Sequence, residues 1–324
     1  MTDFLLLKQL HEMVKEVRKP RLIFNKGICA EGYFRPYMSF SDYTETKIFD
    51  DINEITPVKA RFSSMLGDWG TADTIRNIKG FSVKFCTGEN YFDLIAHNLP
   101  VFFINEPDKI LMLRNALTKN NSFDGINNAV FWRFAVDNTE SINCILHLFS
   151  NEGISASFIN IYWYSANTYI WKNKNGDRFL VRFKWKPVYD GYKKYRESDM
   201  RKKMNRVFAE FMAGFDPDIA VDGVREAVSS GNFPAFELQA QILDFKYSAH
   251  PDYIKHTLWW NENINVPVSV GLLKITDAGN SENEDAYDFA PGNTIDGIEL
   301  CHDNFSDVAD YLCRISIAER GGAK

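Results

Sequence analysis

Between Arg61 and Ile104 the chain switches so tightly between strand-like residues, small turn residues and charges that few folds can hold it. Val83 to Phe85 and Tyr91 to Ile95 read as the arms of a hairpin closed by Gly88, Glu89 and Asn90. A second hairpin is predicted at residues 161–171 and 179–186, with Asn173 to Asp177 as its turn, because Asn-Gly there favours positive φ. Further strands are expected at 21–34, in pieces from Tyr43 to Phe62, at 236–245 and at 266–275. Helical periodicity marks residues 3–18, 107–118, 139–151, 200–214, 218–229 and 303–317. Proline 20 closes the first of these, Asp218 or Asp222 opens the fifth, and Gly231 stops it. Polar loops are expected at 119–128 and 276–295. Strands, then helices, then strands and a last helix read as α+β: an antiparallel β-barrel with surrounding helices. With no internal repeat or linker, one domain over residues 1–324 is expected, its barrel and inserted helices spanning about 21–275.

Charge and composition remove several classes of function. The net charge of −6 carries no basic footprint for nucleic acid, and the densest basic run, Lys193 to Lys203, is broken by acids and reads as a solvated helix face. No apolar run reaches the ~20 residues of a membrane span, and the N-terminus lacks a secretory leader, so a cytoplasmic protein is expected. Cys29, Cys86, Cys144, Cys301 and Cys313 form no Cys-x-x-Cys pair, which fits reduced thiols better than disulfides or zinc. Phosphate loops and nucleophile elbows have no local motif. The 26 phenylalanines suit a core, and equally the walls around a flat apolar cofactor.

Six segments in order resemble the catalase family. Catalases have Arg-x-x-His-x-Lys-Gly running into Gly-Tyr-Phe, and this chain has Arg21, Asn25, Lys26 and Gly27, then Gly32, Tyr33 and Phe34. Ala-Arg-Phe-Ser falls on Ala60 to Ser63, and the family's Gly-Ser-Ala-Asp-Thr-x-Arg falls on Gly70 to Arg76. Gly80 to Phe85 and Asp93 to Ile104 match the next two segments, and Phe289 to Glu299 resembles the lead into the family's proximal helix. The likeness covers about residues 15–322, is thin from 105 to 280, and is greatest to the short, barrel-only catalase-related haem proteins.

The resemblance implies haem b, with Arg21, Arg61 and Arg320 on the propionate arginines. Two buried carboxylates demand paired cations, and a guanidinium binds each in bidentate fashion. Phe102 matches the aromatic that packs on the haem plane, Ile23 lies beside Phe24 in the same wall, and Ser63 keeps the distal serine. The distal histidine falls on Phe24, whose ring moves no proton, and the distal asparagine falls on His97. His97 is then either a structural histidine or a relocated acid–base or substrate-binding group. Asn25 is polar, but strand alternation is expected to turn it from Phe24's face. On the proximal helix the tyrosinate position falls on Cys313 and its supporting arginine on Ala309, with Tyr311 as the alternative ligand after a local slip. A tyrosine, with pKa ~10, needs that arginine, whereas a thiol, with pKa ~8.5, is deprotonated on meeting iron.

These departures point to a haem-dependent peroxidase- or peroxygenase-like oxidoreductase that is not an efficient catalase. It is expected to use or rearrange a peroxide and to oxidise a small organic substrate, with a thiolate pushing O–O cleavage. The alternatives are a non-catalytic haem sensor or carrier, a hydroperoxide-rearranging lyase or isomerase of the allene oxide synthase type, and a scaffold that has lost haem. Self-association into a homo-oligomer is implied by the resemblance alone.

Overall fold

Alternation at period 2 is realised as a closed sheet. The computed structural model describes residues 4–16, 21, 23–67, 70–88, 90–117, 128–188, 204–279 and 287–321. Its strands are β1 (Gly27–Pro36), β2 (Thr56–Ser64), β3 (Lys79–Thr87), β4 (Asn90–His97), β5 (Trp163–Ser165), β6 (Tyr169–Lys172), β7 (Arg178–Val188), β8 (Ala235–Asp244), β9 (Val268–Ala278) and β10 (Ile298–Leu300). Strands β7, β5, β4, β3, β2, β1, β9 and β8 follow one another around the sheet, and β8 returns to β7 to close an eight-stranded antiparallel barrel. β6 and β10 extend from β7 as a side ribbon.

Inward positions are aromatic. Phe62 and Phe81 face each other across β2 and β3 and stack at 4.4 Å, with Trp163, Trp185 and Phe236 around them. Fully burying each such ring contributes about 1.5–3 kcal/mol, and ten of the 26 phenylalanines are buried in the barrel core. Outside it lie α1 (Phe4–Glu16), α2 (Ile110–Leu117), α3 (Asn128–Asp137), α4 (Ile142–Phe149), α5 (Arg206–Phe215), α6 (Ile219–Ser229) and α7 (Asn304–Glu319). α1 buries Leu10, Met13 and Val14 against Val308 of α7. α7 begins where Asp303 accepts from the backbone N–H groups of Phe305 and Ser306. Among the described residues no helix is long and apolar enough to cross a membrane.

Several expected boundaries move. The strand predicted at 21–34 begins at Gly27, because Phe24 takes φ +61°, which breaks extended backbone. From Tyr43 to Phe62 only the part after Thr56 is strand, the earlier part folding through the single turn Lys47–Phe49. The 161–171 strand splits into β5 and β6, while α3 and β10 were not anticipated. The basic run Lys193 to Lys203, most of the 119–128 loop, and Asp68 and Trp69 lie outside the described residues.

Candidate functional site

The barrel's outer face forms one wall of a cavity. Arg61, Ser82 and Ile95 are opposite one another across β2, β3 and β4, and Ser63, Gly80 and His97 form the next outward row. All six line the same cavity of about 770 Å³, because residues two apart on a strand share a face. Gly80 sits in the middle of its row for a steric reason. A Cβ there would lie 2.8 Å from Phe24 Cε1 and 3.0 Å from Ser63 Oγ. The notch between Ser63 and His97 is thus filled by the Phe24 ring.

His97 is buried, and its Nδ1 lies 2.7 Å from the Leu99 carbonyl. A carbonyl only accepts, so Nδ1 carries the proton and Nε2 keeps its lone pair. Burial lowers the imidazole pKa to about 4; the Leu99 bond pulls it back up, and His256 pushes it further down. At neutral pH the ring is therefore an uncharged acceptor. Phe102 stacks beside it at 6.0 Å and also lines the cavity.

The segment before β1 is held by the barrel instead of pairing with it. Phe24 donates its backbone N–H to Met65 O at 3.0 Å. Arg61 donates from Nη1 to Phe24 O at 2.7 Å and from Nη2 to Asn25 O at 2.9 Å. Asn25 Oδ1 in turn accepts the Arg21 backbone N–H at 2.7 Å. Without strand geometry the expected alternation fails, and Ile23, Phe24 and Asn25 all line the cavity. Lys26 next in sequence is fully buried, bonding Asp73 at 2.9 Å and Asp218 at 2.6 Å. Arg320 bonds Asp288, 3.9 Å from Arg21 Nη1, and Arg21 donates to Tyr287 O at 2.7 Å, so these two arginines meet at the edge of the cavity that Arg61 also lines.

The opposite wall is one face of α7. Phe305, Ala309, Cys313, Ser316 and Arg320 recur at three or four residues and line the cavity. Tyr311, two residues before Cys313, points elsewhere: its hydroxyl lies 3.4 Å from His11 Nδ1 of α1, and it does not line the cavity. Cys313 is half-buried with its open side on the cavity. Burial, helped by the Asp310 and Asp93 carboxylates, pushes its thiol up to about 12. Alone it is a thiol, and binding a metal must expel its proton.

One polar cluster in this wall had no sequence signal. His256 lines the cavity with Nδ1 3.0 Å from Ala166 O and Nε2 3.3 Å from Asp303. Ser306 donates to Asp303 at 2.6 Å and accepts from Asn167 Nδ2 at 3.0 Å. Burial works to raise the Asp303 carboxyl, but the His256 hydrogen bond and charge, with Ser306, outweigh it and hold it below its usual value. Arg182, buried on β7, grips the loop that presents His256 through the carbonyls of Lys255 and Leu258. Only Asp303, at a helix start, was legible locally.

The donor set fits a flat, apolar, dianionic chelate. Guanidiniums lie at one end, hydrocarbon and aromatic side chains cover the faces, and a single thiol opens from the helix wall. Among the described residues no group of three or more His, Cys, Asp or Glu could hold a metal ion.

A sequence profile described as Catalase matches residues 1–307. The chain is 31% identical over 305 residues to Catalase-2 of Bacillus subtilis, covering 90% of this chain and 42% of that one. It is 31% identical over 312 residues to a catalase of Methanosarcina barkeri, covering 94% and 59%. The crystal structure of a fungal catalase superposes with a TM-score of 0.81 at 26% identity, over 96% of this chain and 61% of that one. A bacterial catalase at 22% identity and TM-score 0.83 shares the fold. The chain therefore spans between 42% and 62% of the length of these relatives.

Proposed function

The chain belongs to the catalase family, and from that premise we propose that it is a haem-dependent oxidoreductase that uses or rearranges a peroxide to oxidise a small organic substrate, with Cys313 as the protein ligand to iron. The observation that carries this is the cavity face of α7, which presents the Cys313 thiol with Ala309 one turn earlier, while Tyr311 is turned to His11. Haem iron, when bound, would supply O–O bond activation, and the Cys313 thiolate as its ligand would promote this by electron donation. The chain's own residues supply the rest. Arg21, Arg61 and Arg320 would hold the propionates by charge-assisted hydrogen bonds. Phe24 fills the notch over Gly80 and keeps water from the Ser63–His97 row. His97 Nε2 accepts the proton of a bound hydroperoxide, and a ring with pKa near 4 gives it back readily. Ser63 can donate to the same oxygen.

With the Phe24 ring inert, one acid–base histidine is left in this row, and we infer poor hydrogen peroxide dismutation. The test is the ferrous–carbonyl spectrum of haem-loaded protein. A strongly red-shifted Soret band, lost in Cys313→Ala, is expected, and an unshifted band in the wild type overturns thiolate ligation. Turnover assays follow with hydrogen peroxide and with organic hydroperoxides. Dismutation at ordinary catalase rates overturns the peroxygenase-like reading, and gas binding without any turnover replaces it with a sensor or carrier.

A further inference from the structure

We propose that Asp288 is a positioning residue for the arginine end of the cavity: a resident carboxylate that locks Arg21 and Arg320 together and sets the cluster's charge to suit a ligand bearing two carboxylates. The inference rests on the haem reading above and adds a residue that the likeness to catalases did not bring forward.

Arg21 and Arg320 come from opposite ends of the described chain, yet both converge on one oxygen. Arg320 Nη2 bonds Asp288 Oδ1, and Arg21 Nη1 lies 3.9 Å from the same atom. The side chains are 11% exposed at Arg21 and 17% at Arg320 and Asp288, so their mutual repulsion is poorly screened. Each guanidinium is also tied to a carbonyl. Arg21 Nη2 donates to Tyr287 O at 2.7 Å, and Arg320 Nε donates to Ser316 O at 3.1 Å. Both arginines bound the cavity and Asp288 does not. The carboxylate therefore meets them from behind and leaves their cavity sides to a ligand.

The charge balance follows from the same contacts. Arg61 joins the cluster through Asn25, whose side chain holds the Arg21 backbone and whose carbonyl accepts from Arg61. Counting these four described groups alone, three guanidiniums and one carboxylate carry two net positive charges, which equals the charge of two ionised propionates. Among the described residues, Glu31 is engaged with the Tyr287 hydroxyl, and Asp310 with Arg314 and the Gly292 N–H. Removing the Asp288 charge takes away the partner that Arg21 and Arg320 share and leaves their repulsion uncompensated at this point, which shifts them out of register with the ligand.

The experiment titrates apo-protein with haemin and, separately, with its dimethyl ester, in wild type, Asp288→Asn and Asp288→Glu. Binding is read from Soret absorbance and quenching of tryptophan fluorescence, alongside apo thermal midpoints. Haemin is expected to bind Asp288→Asn about tenfold or more weakly, the usual scale for one charged hydrogen bond, with Asp288→Glu close to wild type. The ester, which has no carboxylates, should bind all three alike. Equal or tighter haemin binding by Asp288→Asn, an equal loss in Asp288→Glu, or an equal loss for the ester overturns the proposal. A wild type that takes up no haemin instead overturns the haem reading, and this one with it.

Discussion

Gly80→Ala tests the geometry of the Ser63–Gly80–His97 row in a way that separates packing from backbone effects. The new Cβ would come within 2.8 Å of Phe24 Cε1, so the ring must shift or the strand must give. Overpacking of this kind costs about 1–3 kcal/mol. Against it, alanine loses less chain entropy than glycine on folding, a gain of about 0.4–1 kcal/mol where the backbone accepts it. Gly80 is absent from the positive-φ glycines, so its backbone does accept alanine. The net expectation is a loss of about 1–2 kcal/mol in wild type. In a Phe24→Ala background the clash with the ring disappears and only the 3.0 Å approach to Ser63 Oγ remains, so the same substitution should be close to neutral, within about 0.5 kcal/mol. Urea unfolding of the four proteins in the cycle gives the coupling directly, from midpoints at constant slope. Equal effects of Gly80→Ala in both backgrounds would show that Phe24 does not occupy the notch, and the account of the distal wall would fall.

Other measurements follow from the same contacts. Lys26→Met strands the buried Asp73 carboxylate and should cost about 3–5 kcal/mol, read by thermal or urea denaturation; a cost below 1 kcal/mol would show that Lys26 does not anchor the 21–26 segment. His97 is held near 4 in the folded chain and titrates near 6.5 unfolded, so the unfolded state takes up its proton first as pH falls. The stability present above pH 6.5 should therefore be lost progressively between about 6.5 and 4, by up to about 3 kcal/mol. His97→Asn should flatten that window in a pH series of unfolding curves, and an unchanged slope would contradict the burial argument. Phe24→His places an imidazole where φ is +61°, a backbone that histidine tolerates better than phenylalanine. Oxygen release from hydrogen peroxide per haem should rise on the order of 100-fold, and no rise would remove Phe24 as a reason for the proposed weak dismutation.

Where function is written in local chemistry, the amino-acid sequence was readable. Asp303 opens α7, Gly231 follows α6 with φ +74°, and Asn173 to Asp177 makes the β6–β7 turn. The spacing of Ala309, Cys313 and Arg320 gave the helix face that meets the cavity. What escaped was set by tertiary contacts. Phe24 leaves strand geometry because Arg61 and Met65, distant in sequence, hold its backbone. His256 reaches Asp303 because Arg182 bends its loop inward, and no pattern around residue 256 encodes that. α3 was missed because its apolar residues Phe131, Phe134 and Ala135 follow an asparagine-rich lead that reads as loop.

The cavity draws its walls from Met13 on α1 through to Arg320 after α7. Those two helices are packed on each other, and Arg21 shares Asp288 with Arg320. A growing chain on the ribosome therefore possesses most of the barrel long before it possesses a binding site. A flat ligand of the proposed kind would meet a complete cavity only once α7 has joined the barrel, and the contacts that complete the site are among those of greatest sequence separation, which form slowly.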